Sequence, residues 1–136
     1  MQNRRTQIFY VTFMPHTLAH RTAGLIFDTH LEHFDRDVIQ ASHSVPILVD
    51  FWADWCPPCR ALTPVLERVI AHYAGRLKMA KVEVDEGANM KLAGRYGLRG
   101  FPTVLLFVNG EITGRFSSAK AEHWVREFID EHLDIA

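Results

Sequence analysis

Cys56 and Cys59 are the only cysteines of the chain, and two prolines, Pro57 and Pro58, separate them. A cysteine pair at this spacing can close a small disulfide ring, and so can take up and release two electrons. Thiolate, not thiol, is the nucleophile of disulfide exchange, so the surroundings of each sulfur decide what the pair does. An apolar run at 47–52 leads into the pair and a helical pattern at 59–73 leads out. A strand that ends in Cys-x-x-Cys at a helix start reads as a dithiol redox site. Unpaired backbone N–H groups and the helix dipole favour negative charge on Cys56 at that start. Cys59, one turn in, is expected to be more covered. These positions predict that Cys56 attacks a substrate disulfide and Cys59 resolves the mixed disulfide. A structural zinc site wants four ligands, commonly two such pairs or added histidines. Here there is one pair with no histidine close in sequence. Two inert buried cysteines are the other alternative, and these do not normally bracket Pro-Pro at a strand-to-helix turn.

Several neighbours bear on the chemistry. Pro57 removes an N–H and fixes φ, and Pro58 biases Pro57 away from the α region. A stiff turn with one donor fewer for a thiolate is expected. Asp50 is a carboxylate inside an apolar run. If buried without a partner its pKa rises by desolvation, and it could then take the proton of Cys59 as that thiol attacks. The alternative is an exposed acid at a strand end. Trp55, next to Cys56, is read as covering the site or touching substrate, and Trp52 as core packing.

The elements that must position these residues alternate. A short strand at 25–27 is followed by a helix over about 30–41, with Leu31, Phe34, Val38 and Ile39 at helical spacing. Thr29 and Glu32 could form its capping box. The run at 45–52 suits a strand buried on both faces. The helix after the cysteines carries Leu62, Val65, Leu66, Val69, Ile70 and Tyr73 on one stripe, with a kink expected at Pro64 and a stop at Gly75. A strand at 77–84 and a short helix at 87–95 follow. An apolar run at 102–108 then meets Asn109-Gly110, a strong hairpin signal. The partner strand runs to 116, and Trp124, Val125, Phe128, Ile129 and Leu133 make an amphipathic last helix. His72 and His132 are read as facing solvent. Alternating strands and helices predict an α/β fold with a parallel portion and helices on both faces.

The whole chain sets the outer limits. Its 136 residues suit one domain with one real core. A net charge of −1 gives no reason to expect nucleic acid or an anionic membrane as partner. No apolar run approaches the roughly 20 residues of a membrane span. Arg4-Arg5 and the apolar stretch at 8–14 faintly suggest a signal peptide, but Thr12 interrupts the run and Pro15-His16 follows it. Residues 1–22 are therefore expected to be a poorly ordered extension ahead of one domain at 23–136.

Asp50, the Trp55-Cys56-x-Pro58-Cys59 centre and the later Phe101-Pro102 together resemble the thioredoxin family over roughly residues 25–133. The Cys-Pro-Pro-Cys centre is also similar to that of tryparedoxins and of some membrane-tethered reductases, whose insertions this chain lacks. The resemblance implies a mixed five-stranded sheet flanked by four helices. It implies that Lys81 partners Asp50 and that the Phe101–Pro102 bond is cis. It also implies that Trp55, Pro57, Pro58, Phe101, Pro102 and Ser118 contact substrate. Ser118 stands where the family usually has glycine, and Phe101 is larger than the residue often found there. The expected activity is reduction of protein disulfides by a cytoplasmic monomer. Electrons would come from a thioredoxin reductase or similar donor, with no bound cofactor and no metal. An oxidase or isomerase of an oxidising compartment is the alternative, as is a binding module in which the dithiol is incidental.

Overall fold

The computed structural model describes residues 17–133. The stretch at 1–16, with most of the expected extension, lies outside the described residues. Residues 17–22, the rest of that extension, are described. Leu18–Arg21 forms a single helical turn, α1, and the Thr17 hydroxyl accepts the His20 N–H at its start.

Five strands make one sheet in the order β1-β3-β2-β4-β5. β1 is Ile26–Asp28, β2 Ile47–Trp52, β3 Lys78–Glu83, β4 Thr103–Val108 and β5 Glu111–Ser117. The first three run parallel; β4 and β5 run antiparallel to their neighbours. Central β2 is buried from Ile47 to Phe51, which accounts for its nearly continuous apolar sequence. The β4–β5 turn has Asn109 at φ 53° and Gly110 at φ 82°. Two positive values in succession match the twist of the flanking strands, the geometry that Asn-Gly favours.

Each face of the sheet has its own core. On one face Val49, Phe51, Val82 and Leu105 pack with Phe34 and Leu92. On the other, Leu48 and Leu106 pack with Leu62, Leu66 and Ile70 of α2 (Pro57–Tyr73) and Val125 and Ile129 of α4 (Glu122–Leu133). The Tyr73 hydroxyl donates to Asp130, tying α2 to α4. α2 continues through Pro64 to Tyr73 and then stops with Ala74 and Gly75 both left-handed, at φ 48° and 90°. α3, Met90–Arg95, is the short helix expected before Gly97.

Three expectations fail. The segment at 31–43 is not one α-helix but a 3₁₀ turn, a π-helical stretch over Asp35–Gln40 and a second 3₁₀ turn. The capping box does not form, because the Thr29 hydroxyl donates to the Asp37 carboxylate at 2.9 Å. That bond satisfies Thr29 away from the helix start, and His30 precedes the first turn with no side-chain cap. His132 also departs from its expected solvent position. Its ring packs against Phe128, tilted by 36° with centroids 4.4 Å apart, and lies against Gly114, where an added Cβ would meet it at 2.5 Å.

Candidate active site

β2 ends at Trp52 and the chain turns through Ala53-Asp54-Trp55 into α2. Cys56 is the N-cap of that helix, in extended conformation, and its sulfur accepts the Cys59 N–H at 3.3 Å. Proline is tolerated in the first turn because the N–H groups it lacks have no partner inside the helix. Pro57 and Pro58 hold the first two helical positions, so the first main-chain donor available to Cys56 is that of Cys59. The two cysteines are joined as a disulfide, with Cα atoms 5.3 Å apart. Their expected difference in cover does not appear as a difference in exposure, at 3% and 1%. Place separates them instead: Cys56 caps the helix and Cys59 is one turn inside it.

The Phe101–Pro102 bond is cis. It brings the Phe101 carbonyl oxygen to 3.4 Å from the Cys56 sulfur. The Ser118 N–H donates to the Pro102 carbonyl, so the end of β5 lies beside the same loop. Ser118 has φ 71°, a left-handed conformation that glycine adopts at no cost and serine at some strain. Thr103 fixes the loop from below, its hydroxyl donating to the Gly100 carbonyl at 2.7 Å.

Trp55 is 65% exposed beside the dithiol. Its indole N–H donates to Asp85 at 2.6 Å, and its ring meets Phe101 edge-on at 6.4 Å. Nothing local in the sequence couples Trp55 to Asp85, thirty residues on, and the sequence reading missed it. With Pro57 and Pro58 exposed and Phe101 half-buried, these side chains form a rim around the two sulfurs.

Asp50 is 1% exposed, and neither carboxyl oxygen has a hydrogen-bond partner. Strand alternation puts it on the face of Leu48, which α2 covers. Burial pushes its pKa up to about 7, against a smaller opposing pull from the positive charge of Lys81. Lys81 is the register neighbour of Asp50 on β3. Its ammonium does not bond the carboxyl; it sits 5.0 Å from the centre of the Trp52 ring. Trp52 is thus more than core packing, and its own indole N–H is buried without a partner.

The family model described as Thioredoxin matches residues 26–131. A thioredoxin of Chlorobaculum thiosulfatiphilum is 37% identical over 111 residues, covering 82% of this chain and 99% of that one. Thioredoxin C-2 of Corynebacterium nephridii is 39% identical with the same coverage, 82% and 99%. A thioredoxin of Pseudomonas aeruginosa is 38% identical over 74% of this chain and 89% of its own. With a disulfide at the start of α2, a cis-proline loop against it and a mixed five-stranded sheet beneath, the chain belongs to the thioredoxin family and is a thiol-disulfide oxidoreductase that reduces protein disulfides.

Proposed function

We propose that Cys56 is the attacking sulfur, Cys59 the resolving sulfur and Asp50 the group that carries the Cys59 proton. The observation that carries this is the capping of α2 by the Cys56 sulfur, which receives the Cys59 N–H. A helix N-terminus stabilises thiolate over thiol. The Cys56 thiolate attacks one sulfur of a substrate disulfide and expels the other as thiolate. Ionised Asp50 takes the Cys59 proton, Cys59 attacks the Cys56 sulfur, and the second substrate sulfur leaves as thiolate; Asp50 returns its proton to one product thiolate and solvent protonates the other. Cys56–Cys59 ends oxidised and the substrate has gained two electrons and two protons. A carboxyl with a pKa of about 7 can both accept and return a proton near neutral pH.

Trp55, Pro57, Pro58, Phe101, Pro102 and Ser118 are the surface on which an extended substrate segment rests. What supports this is their position around the sulfurs. A monomer working in the cytoplasm, recharged by a thioredoxin reductase or similar donor, completes the reading, since a reductase needs a supply of reducing equivalents. Dithiothreitol-driven reduction of insulin tests the roles. The wild type accelerates it, Cys56→Ser abolishes the acceleration, and Cys59→Ser traps mixed disulfides on Cys56. Full activity in Cys56→Ser would end the assignment.

A further inference from the structure

Four side chains stand together where β2 and β3 pair, on the strand that leads into the dithiol. Asp50 and Trp52 are two apart on β2, and Lys81 and Glu83 are two apart on β3. Strand alternation gives each pair a common side, and the register sets Asp50 beside Lys81 and Trp52 beside Glu83. A buried carboxylate next to a lysine would ordinarily take the ammonium as its partner. Here both oxygens of Asp50 are unpartnered, and the Lys81 ammonium lies over the indole ring of Trp52 instead. The face of an indole attracts a cation through its quadrupole, and tryptophan does so better than other rings.

We propose that Trp52 is a positioning residue which holds the Lys81 ammonium off Asp50, leaving the carboxyl free to carry the Cys59 proton. This deepens the proposed proton role of Asp50 and rests on that role for its catalytic meaning. Were Lys81 to close on Asp50, the pair would lock the acid in its charged form, because an opposite charge within a few ångströms favours ionisation. An acid so locked accepts no proton at neutral pH. With the ammonium parked on the ring, Lys81 still acts on Asp50 through space but only partly opposes the effect of burial.

Other charges near this group do not substitute for the ring. Lys81 is the one charge that acts on the Asp50 carboxyl among the described residues. β4 sets the apolar Val104 opposite Asp50 in register. α2, which covers this face, brings Cys59 in its first turn. Glu83 shares the side of Lys81, but the charges acting on it are those of Glu86, Asp54 and Asp85.

The test is a carboxyl-carbon NMR titration of Asp50 in the reduced protein, which reads the acid without turnover. Trp52→Leu removes the ring and should lower the Asp50 midpoint by about one pH unit or more, as Lys81 closes on the carboxyl. In a Lys81→Met background the same Trp52→Leu change should produce no fall. A fall that persists without Lys81 would mean that water, not the ammonium, had reached the acid, and would overturn the proposal. An unchanged or raised midpoint in Trp52→Leu would overturn it too. Should Trp52→Leu fail to fold, the wild type still decides. The Lys81 Cε protons should be shifted upfield by the ring current of Trp52, and an ordinary lysine shift would rule the contact out. The pH profile of insulin reduction should move with the Asp50 midpoint in Trp52→Leu. If the midpoint falls and the profile stays, the ring contact stands and the catalytic role of Asp50 fails.

Discussion

Two buried polar side chains, Asn89 and Asp50, are each 1% exposed, and their surroundings could hardly differ more. The Asn89 carbonyl accepts the Leu31 N–H at 2.9 Å, and its amide donates to the Glu83 carbonyl at 2.9 Å. It stitches the start of the irregular segment at 31–43 to the end of β3, and its burial is offset by the bonds it makes. Asp50 makes no bond from either oxygen. Burial answers by raising its pKa to about 7. A satisfied buried group is architecture. An unsatisfied one, on the strand that leads into a dithiol, is a group available for chemistry.

The largest expected effect comes from removing the unsatisfied member. The folded-state pKa of Asp50, about 7, lies above the ordinary 3.8 of the unfolded chain. Between those values the folded state holds a proton that the unfolded state has lost, so stability falls as pH rises through this window. Above pH 7 the full penalty is present, about 4 kcal/mol for a shift of about 3 units. Asp50→Ala should therefore be more stable than wild type at pH 8–9 by a few kcal/mol, with the gain gone by pH 4. Urea denaturation at a series of pH values measures this; an equal gain at every pH would contradict it.

Removing the satisfied member should do the reverse. Asn89→Ala leaves the Leu31 N–H without its partner and takes from the Glu83 carbonyl one of two donors, the Glu86 N–H remaining, and should cost about 2 kcal/mol. In a His30→Ala background, which removes the ring nitrogen 3.5 Å from the Asn89 amide, that loss should be the same at pH 5 and pH 9. A pH-dependent loss would blur the contrast between the two residues.

A third substitution sharpens the Asp50 side alone. Lys81→Met removes the positive charge that opposes desolvation. The Asp50 midpoint should rise, and the neutral limb of the activity profile should shift to higher pH with it. A fall would mean that Lys81 acts other than through its charge.

The smallest effect is expected at the exposed rim. Asp85→Ala deletes the acceptor of the Trp55 indole N–H. Because Trp55 is mostly exposed, stability should change by less than about 1 kcal/mol. Trp55 fluorescence and the KM for insulin should change more than kcat does. A large loss of stability would show that the contact is structural.

Much of this was legible in sequence, for reasons that also explain what was not. α2 announced itself because its apolar residues repeat at one helical period and a single core receives them. The hairpin was legible because Asn109-Gly110 satisfies a local backbone requirement. Leu31, Phe34 and Val38 also recur at helical spacing, yet their segment is partly 3₁₀ and partly π. Spacing of three and four residues does not separate these helices, and the deciding bond, Thr29 to Asp37, spans eight residues. At the site, the cysteines and the acid in an apolar run were readable from residue type and order, and the Phe101–Pro102 pair from the resemblance to the family. The Trp55–Asp85 bond, the Asn89 stitch and the Lys81–Trp52 contact were not, because each joins residues that only the sheet brings together. The position of Ser118 was anticipated, but its left-handed backbone was not, since serine carries no signal for φ 71°.

The central claim is that an unpartnered acid beneath the helix start moves the proton of Cys59. The most direct measurement is a single-turnover one: load Cys56 of the reduced protein as a mixed disulfide with thionitrobenzoate and follow its release by Cys59 against pH. The wild-type rate should inflect near pH 7. Asp50→Asn should lose that inflection and slow the release at pH 7 by about 100-fold, the usual worth of a positioned general base. An Asp50→Asn protein with the wild-type rate and the wild-type inflection would contradict the account.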